Sequence, residues 1–271
     1  MLERVKILKI GGSVVTHKDK YSELNLESIK NIVTEIKMWL RENKKTNLVF
    51  ISGAGSFGHP LAYKYMLNRE CRNNKEPIGF LRTTTNMQKM GNIIANIFQR
   101  SDIPLFPIQP SSIFITDKGR IIDSYIRPII MAMENNKIPF LWGDTVLDIS
   151  HKYRILSGDQ ISTYLYEKLN GESLLFGTNV DGIYTDDPFK NQYAKIVREV
   201  NDENYEDVLK FLSRSSHLDV TRGMVGKLEE IRTIKKRPII KCVIYNALLK
   251  NNTYKALSGE KIGTKIFLRG D

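Results

Sequence analysis

Five short segments of this chain set glycine, lysine, histidine or aspartate where they can handle phosphate. Lys9-Ile10-Gly11-Gly12-Ser13 places a lysine just before a Gly-Gly turn, and Lys18 follows nine residues after Lys9. Glycine lets backbone N–H groups approach phosphate oxygens, and a lysine adds a point charge for a bridging or terminal phosphate. The Gly-Lys-Ser/Thr ending of a Walker A loop is absent. Ser52-Gly53-Ala54-Gly55-Ser56-Phe57-Gly58-His59-Pro60 is a second backbone cradle, with a helix N-terminus expected just after it. His59, one of only four histidines, stands where it can donate a hydrogen bond to an anion held there. Ser157-Gly158-Asp159 sets a carboxylate at a strand-to-helix turn, able to hold lysines or to cap the helix. Gly177-Thr178-Asn179-Val180-Asp181-Gly182 is a polar turn suited to a nucleotide. Asp219-Val220-Thr221-Arg222-Gly223-Met224 leads to Lys227, a further cationic candidate. Taken singly, each segment also reads as an ordinary turn, cap or solvated lysine.

The elements around these turns explain how they could meet. Val5 to Ile10 reads as a strand entering a tight turn. Residues 26–42 carry Ile29, Ile32, Val33, Ile36 and Leu40 on one helical face. Leu48-Val49-Phe50-Ile51 is a continuous apolar run, the pattern of a strand buried on both faces of a parallel sheet. Two buried strands, each ending in a glycine turn with a helix between them, make a β-α-β unit whose strand ends open to a ligand. Further on, Met87, Met90, Ile94 and Ile97 mark a helix before the extended Pro104–Ile108, and Ile138–Trp142 a strand ending in Gly143-Asp144. Residues 145–156 suggest a hairpin. Ile161, Leu165 and Leu169 mark a helix, and Leu174-Leu175-Phe176 a strand. A last helix covers about 223–236 with Met224, Leu228 and Ile231 inward, and Ile239–Ile244 is a further strand. The stretch Arg69–Arg82, polar and irregular in character, reads as a mobile cover. The pattern predicts an α/β fold with an open, mainly parallel sheet sandwiched between helices, in one domain spanning 1–271.

Composition narrows the function classes. The net charge of +11 comes from basic residues spread along the whole chain. The densest groups, Lys44-Lys45 and Lys235-Lys236-Arg237, fall at predicted helix ends, where cations favour the dipole. No aromatic residues interleave with a basic stripe, so a small polyanion is the expected partner rather than nucleic acid. Cys71 and Cys242 lack the paired spacing of a zinc site or a disulfide framework and read as idle thiols. No signal-like segment and no apolar run near ~20 residues is present, which predicts a reducing cytoplasm and no membrane partner.

Together the five segments, in this order and spacing, resemble the amino-acid-kinase superfamily, from the first strand to Gly263-Thr264. Within it the chain is most similar to the isopentenyl phosphate kinases, through Ser56-Phe57-Gly58-His59-Pro60, Ile108-Gln109-Pro110-Ser111-Ser112 and the Lys9/Lys18 spacing. The resemblance implies an amino-acid-kinase fold, ATP with Mg²⁺, a small phosphate acceptor and a homodimer, for which the helix over 83–100 is a plausible interface. It places an acceptor lobe over about 1–157 and a nucleotide lobe over about 158–271. Lys9, Gly11, Gly12, Ser13, Gly55, Asn179, Gly223 and Lys227 would contact ATP. Ala54, His59 and Gly158 would line the acceptor phosphate, and Asp159 would organise Lys9 and Lys18 across the transfer site, making Lys9, Lys18, His59 and Asp159 the catalytic set.

Three positions depart from the family pattern. Ser52-Gly53-Ala54-Gly55 stands where the family has His-Gly-Gly-Gly, and the Ala54 methyl is expected to narrow the cradle or restrict its dihedrals. Asn179 replaces an aspartate. Arg222 replaces a glycine, with strain of ~1–3 kcal/mol expected if that position needs a positive φ. The implied reaction is phosphorylation of isopentenyl phosphate to isopentenyl diphosphate. Same-fold rivals are a kinase for a phosphonate such as fosfomycin, a carboxylate kinase, and a non-catalytic nucleotide-binding protein.

Overall fold

The computed structural model describes residues 4–67, 76–186, 188, 191–215 and 223–270. Strand β1 (Val5–Ile10) leads into the single turn α1 (Gly12–Val15), and α2 (Leu26–Glu42) returns the chain to β2 (Asn47–Ser52). The Asn25 side chain accepts the Ser28 N–H and so caps α2 where the apolar period begins. Helices α3 (Gly55–Lys64) and α4 (Glu76–Gln99) precede β3 (Leu105–Pro107). The strand β4 (Phe114–Asp117), β5 (Arg120–Ser124), helix α5 (Arg127–Glu134), β6 (Ile138–Trp142) and the hairpin of β7 (Asp144–Asp148) and β8 (Lys152–Leu156) follow. The C-terminal half comprises α6 (Gly158–Lys168), β9 (Ser173–Thr178), β10 (Ile183–Tyr184), β11 (Ile196–Val197), β12 (Glu199–Asn201), α7 (Tyr205–Ser215), α8 (Gly223–Arg232), β13 (Ile240–Asn246), α9 (Asn252–Ser258) and β14 (Thr264–Leu268).

Eight strands form one continuous sheet in the order β12-β14-β13-β9-β1-β2-β6-β3. Pairing is parallel except between β13 and β14. Residues 173–268 build one half of this sheet and residues 5–142 the other, with β1 and β9 adjoining at the centre. Alternation along β1 sends Val5 and Ile7 into one core with α5 to α8, and Leu8 and Ile10 into a second core with α2, α4 and α9. Lys9 shares the face of Val5 and Ile7 and sits at the open end of the central strand. A smaller sheet, β5-β4-β7-β8, lies outside the main one.

Helix α4 spends its apolar stripe on the core: Met87, Met90, Ile94 and Phe98 are buried, and Ile97 only partly so. The helix also begins earlier than its apolar period suggested. Residues 76–82 of the expected cover are its first turns, helical rather than irregular, with Pro77 near the N-terminus where its missing N–H costs nothing; residues 69–75 of that stretch lie outside those described. Helix α9, carrying no long apolar stripe, is held from a distance. The buried Glu35 carboxylate on α2 accepts the backbone N–H groups of Asn251, Thr253 and Tyr254 at 2.8–3.1 Å. No described helix is long and apolar enough to cross a membrane.

Candidate active site

The strand tips converge because their glycine turns touch. Added to Gly12, a Cβ would collide with the Gly55 backbone, and at Gly53 it would strike the Gly12 amide. These two glycines therefore serve the close approach of one turn to the other. Gly55 adds a left-handed φ of 49°, which glycine adopts without strain. Thr16 stitches the two turns together: its hydroxyl donates to Gly12 O at 2.9 Å and accepts the Ser56 N–H at 3.0 Å. A third tip joins them, since a Cβ on Gly143 would lie 3.3 Å from Gly158 N and 3.6 Å from Ala54 N. The amides of Gly55, Gly158 and Asp159 belong to the first turns of α3 and α6, where a helix supplies no internal acceptor for them. The N–H of Gly11 is different, being committed to Gly177 O at 2.8 Å.

Asp159 gathers two lysines. Its Oδ1 is 2.7 Å from Lys9 Nζ, and its Oδ2 accepts from Lys227 Nζ at 2.8 Å. Asp159 is free for this because the Ser157 hydroxyl caps α6, accepting the Gln160 N–H. Both lysine side chains are below 10% exposed, at 9% and 6%, so their charges face a low-dielectric interior. Burial pushes Lys9 down to about 8, with Asp159 opposing the shift and Lys227 reinforcing it. Burial raises Asp159, but the ammonium groups of Lys227 and Lys9 outweigh it and hold the carboxyl below its ordinary range. Lys227 also lies over the Phe176 ring, 4.5 Å from its centre, a favourable cation–π placement. Two buried cations on one carboxylate leave the cluster with an excess positive charge, suited to an anion.

Of the two lysines expected on Asp159, Lys9 is there and Lys18 is not. Lys18 is exposed in the turn between Thr16 and Leu24, which pair as an antiparallel bridge, and Lys227 takes the second carboxylate oxygen. The reason is sheet order: β9 and α8 bring residue 227 to β1 over a sequence separation that no local pattern records. His59 lies on the second turn of α3, half-buried. Pro60 follows it without the N–H that would have bonded Ser56 O, and that carbonyl accepts the Ser22 N–H at 3.3 Å instead. The loop carrying Lys18 is thereby tied to the first turn of α3.

Ala54 does not restrict the backbone as expected. It is right-handed, with φ −73° and ψ −35°, and its methyl occupies space that Gly58 leaves open, where a second Cβ would be 2.6 Å away. On the nucleotide side, the Ser13 hydroxyl donates to Asn179 Oδ1 at 3.2 Å, linking the first turn to the turn after β9. Gly223 opens α8 with φ 53°, while Arg222 lies outside the described residues, as does Cys71. Cys242 is buried, and burial raises its thiol far above the ordinary range, in line with an idle role.

The profile of the amino acid kinase family matches residues 4–246, almost the whole of this arrangement. The chain belongs to that family. Within it, an isopentenyl phosphate kinase of Methanocaldococcus jannaschii is 35% identical over 96% of this chain and 97% of its own length. One from Methanothermobacter thermautotrophicus is 32% identical over 96% and 98%. A crystal structure described as isopentenyl phosphate kinase superposes with a TM-score of 0.82 at 30% identity, covering 97% of this chain and all of that one. As a family member with these relatives, the chain is a kinase with a mainly parallel αβα sandwich.

Some site features carried no signal that singled them out in the sequence. Gly143 and Thr16 act only through the meeting of distant turns. Asp144, beside Gly143, is buried at 2% exposure and accepts the N–H groups of Thr145 and Ser111 at 2.8 and 3.3 Å. Burial pushes its carboxyl up to about 7 against those two hydrogen bonds. Ser111 belongs to the Gln109-Pro110-Ser111-Ser112 segment, so that motif's visible work is to tie a short 3₁₀ turn to the tip of β7.

Proposed function

We propose that this kinase transfers the γ-phosphoryl group of ATP to isopentenyl phosphate, giving isopentenyl diphosphate and ADP. The observation that carries the reading is the pair of buried lysines on Asp159 at the mouth of glycine turns in mutual contact, in a chain 35% identical to an isopentenyl phosphate kinase. An oxygen of the acceptor phosphate attacks the γ-phosphorus. The bond from that phosphorus to the β–γ bridging oxygen breaks, and its electron pair stays with ADP. The acceptor is already anionic, so no strong general base is required, and catalysis rests on positioning and charge.

Lys9 and Lys227 neutralise the transferring group, and Asp159 holds both ammoniums in place without touching the phosphates. Lys18 supplies a further charge from its loop. Ser13, Gly12, Gly55, Asn179 and Gly223 hold the nucleotide, with Gly11 supporting the turn through its bond to Gly177. His59, with the amides at Ala54 and Gly158, holds the acceptor phosphate. Mg²⁺ enters as part of the MgATP substrate; among the described residues no cluster of three acidic, histidine or cysteine side chains could hold a metal by itself, and Mg²⁺ commonly relies on substrate phosphates and water.

The division into an acceptor lobe over about 1–157 and a nucleotide lobe over about 158–271 is supported by the two halves of the sheet. The acceptor's hydrocarbon would lie towards the small apolar cluster of Leu61, Ala62, Tyr65, Leu67 and Tyr153, of which Leu61 and Ala62 stand on the helix that carries His59. The working form is a cytoplasmic homodimer. The outward residues of α4 over 83–100, such as Thr85, Gln88, Asn92 and Asn96, would give that helix a polar rather than apolar share of the interface.

A coupled ADP-release assay over isopentenyl phosphate, a phosphonate and an acylamino acid tests the assignment. Acceptor-dependent turnover with isopentenyl phosphate, at the highest kcat/KM of the panel, is the expected result. Preference for the phosphonate, or ATP binding without turnover on any acceptor, would overturn it. Light scattering on the eluted protein tests the dimer.

A further inference from the structure

The hairpin of β4 and β5 belongs to the smaller sheet, yet it is fastened to both elements that carry the Asp159–Lys227 pair. On α6, the Gln160 side chain behaves like a piece of backbone: its Oε1 accepts the Ile121 N–H at 3.0 Å and its Nε2 donates to Gly119 O at 3.0 Å. Gln160 is buried and is the immediate neighbour of Asp159. On α8, Glu230 Oε1 meets Arg120 NH1 at 2.6 Å. Glu230 is 18% exposed, and its other oxygen is buried with no hydrogen-bond partner among the described residues. Glu230 follows Lys227 by three residues, which puts the two side chains on neighbouring turns of one helix face.

We propose that this hairpin is a brace for the transfer site, with Arg120 and Gln160 as positioning residues that set Lys227 and Asp159 against each other. The inference rests on the reading of Asp159, Lys9 and Lys227 as the phosphoryl-transfer cluster. The physical need is directional. Helix α8 is anchored by Leu228 and Ile231, and apolar burial fixes its depth but only weakly its rotation. An ion pair one turn beyond Lys227 fixes that rotation, because Glu230 can meet Arg120 only when Lys227 faces α6. Gln160 does the same for α6 by tying its first turn to the hairpin loop. The side-chain hydrogen bonds and ion pair of Arg120 and Gln160 run to Glu230 and to the hairpin backbone, not to the lysines.

Charge reversal across the pair tests this on the full chain, with MgATP affinity by calorimetry and separate KM values for ATP and acceptor. Arg120→Glu and Glu230→Arg should each weaken MgATP binding about tenfold and leave the acceptor KM within about twofold. The double reversal should restore affinity to within about threefold of the parent. Singles that bind MgATP like the parent, or a double variant no better than the singles, would overturn the brace. If a single variant fails to fold, the double decides: refolding with restored affinity supports the brace, and refolding without it refutes it. Calorimetry needs no turnover, so a parent that binds MgATP yet phosphorylates no acceptor would sink the proposed function while the brace is still read from the same affinities.

Discussion

Replacing Asp159 with asparagine removes the one negative charge from a cluster of two buried ammoniums while keeping size and shape. At 2.7 and 2.8 Å, each ion pair has a gross Coulomb energy of about 6 kcal/mol at an effective dielectric of about 20. Breaking a buried pair from one side typically costs about 3–5 kcal/mol, because the partner charge is left uncompensated. The Asp159 side chain keeps 19% of its surface exposed, so the low end, about 3 kcal/mol, is the better expectation. For a domain of this size that corresponds to a drop in Tm of about 6–12 °C. A second readout isolates Lys9. On the proposed mechanism its ammonium takes part in transfer, so activity should be full below about 8 and fall as pH rises through that value. In Asp159→Asn the attraction that opposes the shift is gone and the Lys227 repulsion stays. The alkaline limb of kcat/KM should therefore move down by at least about one unit, equivalent to about 1.4 kcal/mol. ADP-release rates from pH 6 to 9.5 and thermal melts measure both. A variant that melts with the parent and keeps its alkaline limb near about 8 would refute the electrostatic account of the site.

His59→Ala and Lys9→Ala should each lower turnover about a hundredfold or more in purified, folded protein, as the loss of a donor to developing charge does. Near-parent rates in both would remove the site assignment. Lys18→Ala should raise the ATP KM or lower kcat without shifting Tm, since Lys18 is exposed and carries no buried contact; a melt shifted by more than about 2 °C would contradict that placement. Glu35→Ala should lose about 3 kcal/mol of stability by orphaning the three N–H groups at the start of α9, with both KM values unchanged. A chemical-denaturation midpoint equal to the parent's would show that α9 does not depend on it. Asp144 is raised in the folded protein, so the folded state binds more protons than the unfolded one between the ordinary carboxylate range and about 7, and its contribution to stability falls as pH rises through that window. Melts of Asp144→Asn should show a smaller difference between pH 6 and pH 8 than the parent's, and an unchanged difference would count against the buried carboxylate.

Local elements and the order of the turns could be read from the residues alone. The strand Val5–Ile10 and the helix over 26–42 stand where their periods put them, because side-chain alternation and the 3.6-residue repeat are decided by near neighbours. Lys9 at the tip of a buried strand and Asp159 at the head of a helix were legible for the same reason. Helix α9 was not, since a carboxylate 216 residues from Asn251 holds its start. That Asp159 pairs with Lys227 as well as Lys9, and not with Lys18, follows from which strand lies beside β1. Composition likewise marked the glycine turns as phosphate cradles, whereas Gly12 and Gly53 are demanded first by one turn resting on the other. Ala54 looked like an intrusion and is accommodated by the missing side chain of Gly58. In each case the deciding contact joins residues whose separation along the chain leaves no periodic trace, and sheet order is what brings them together.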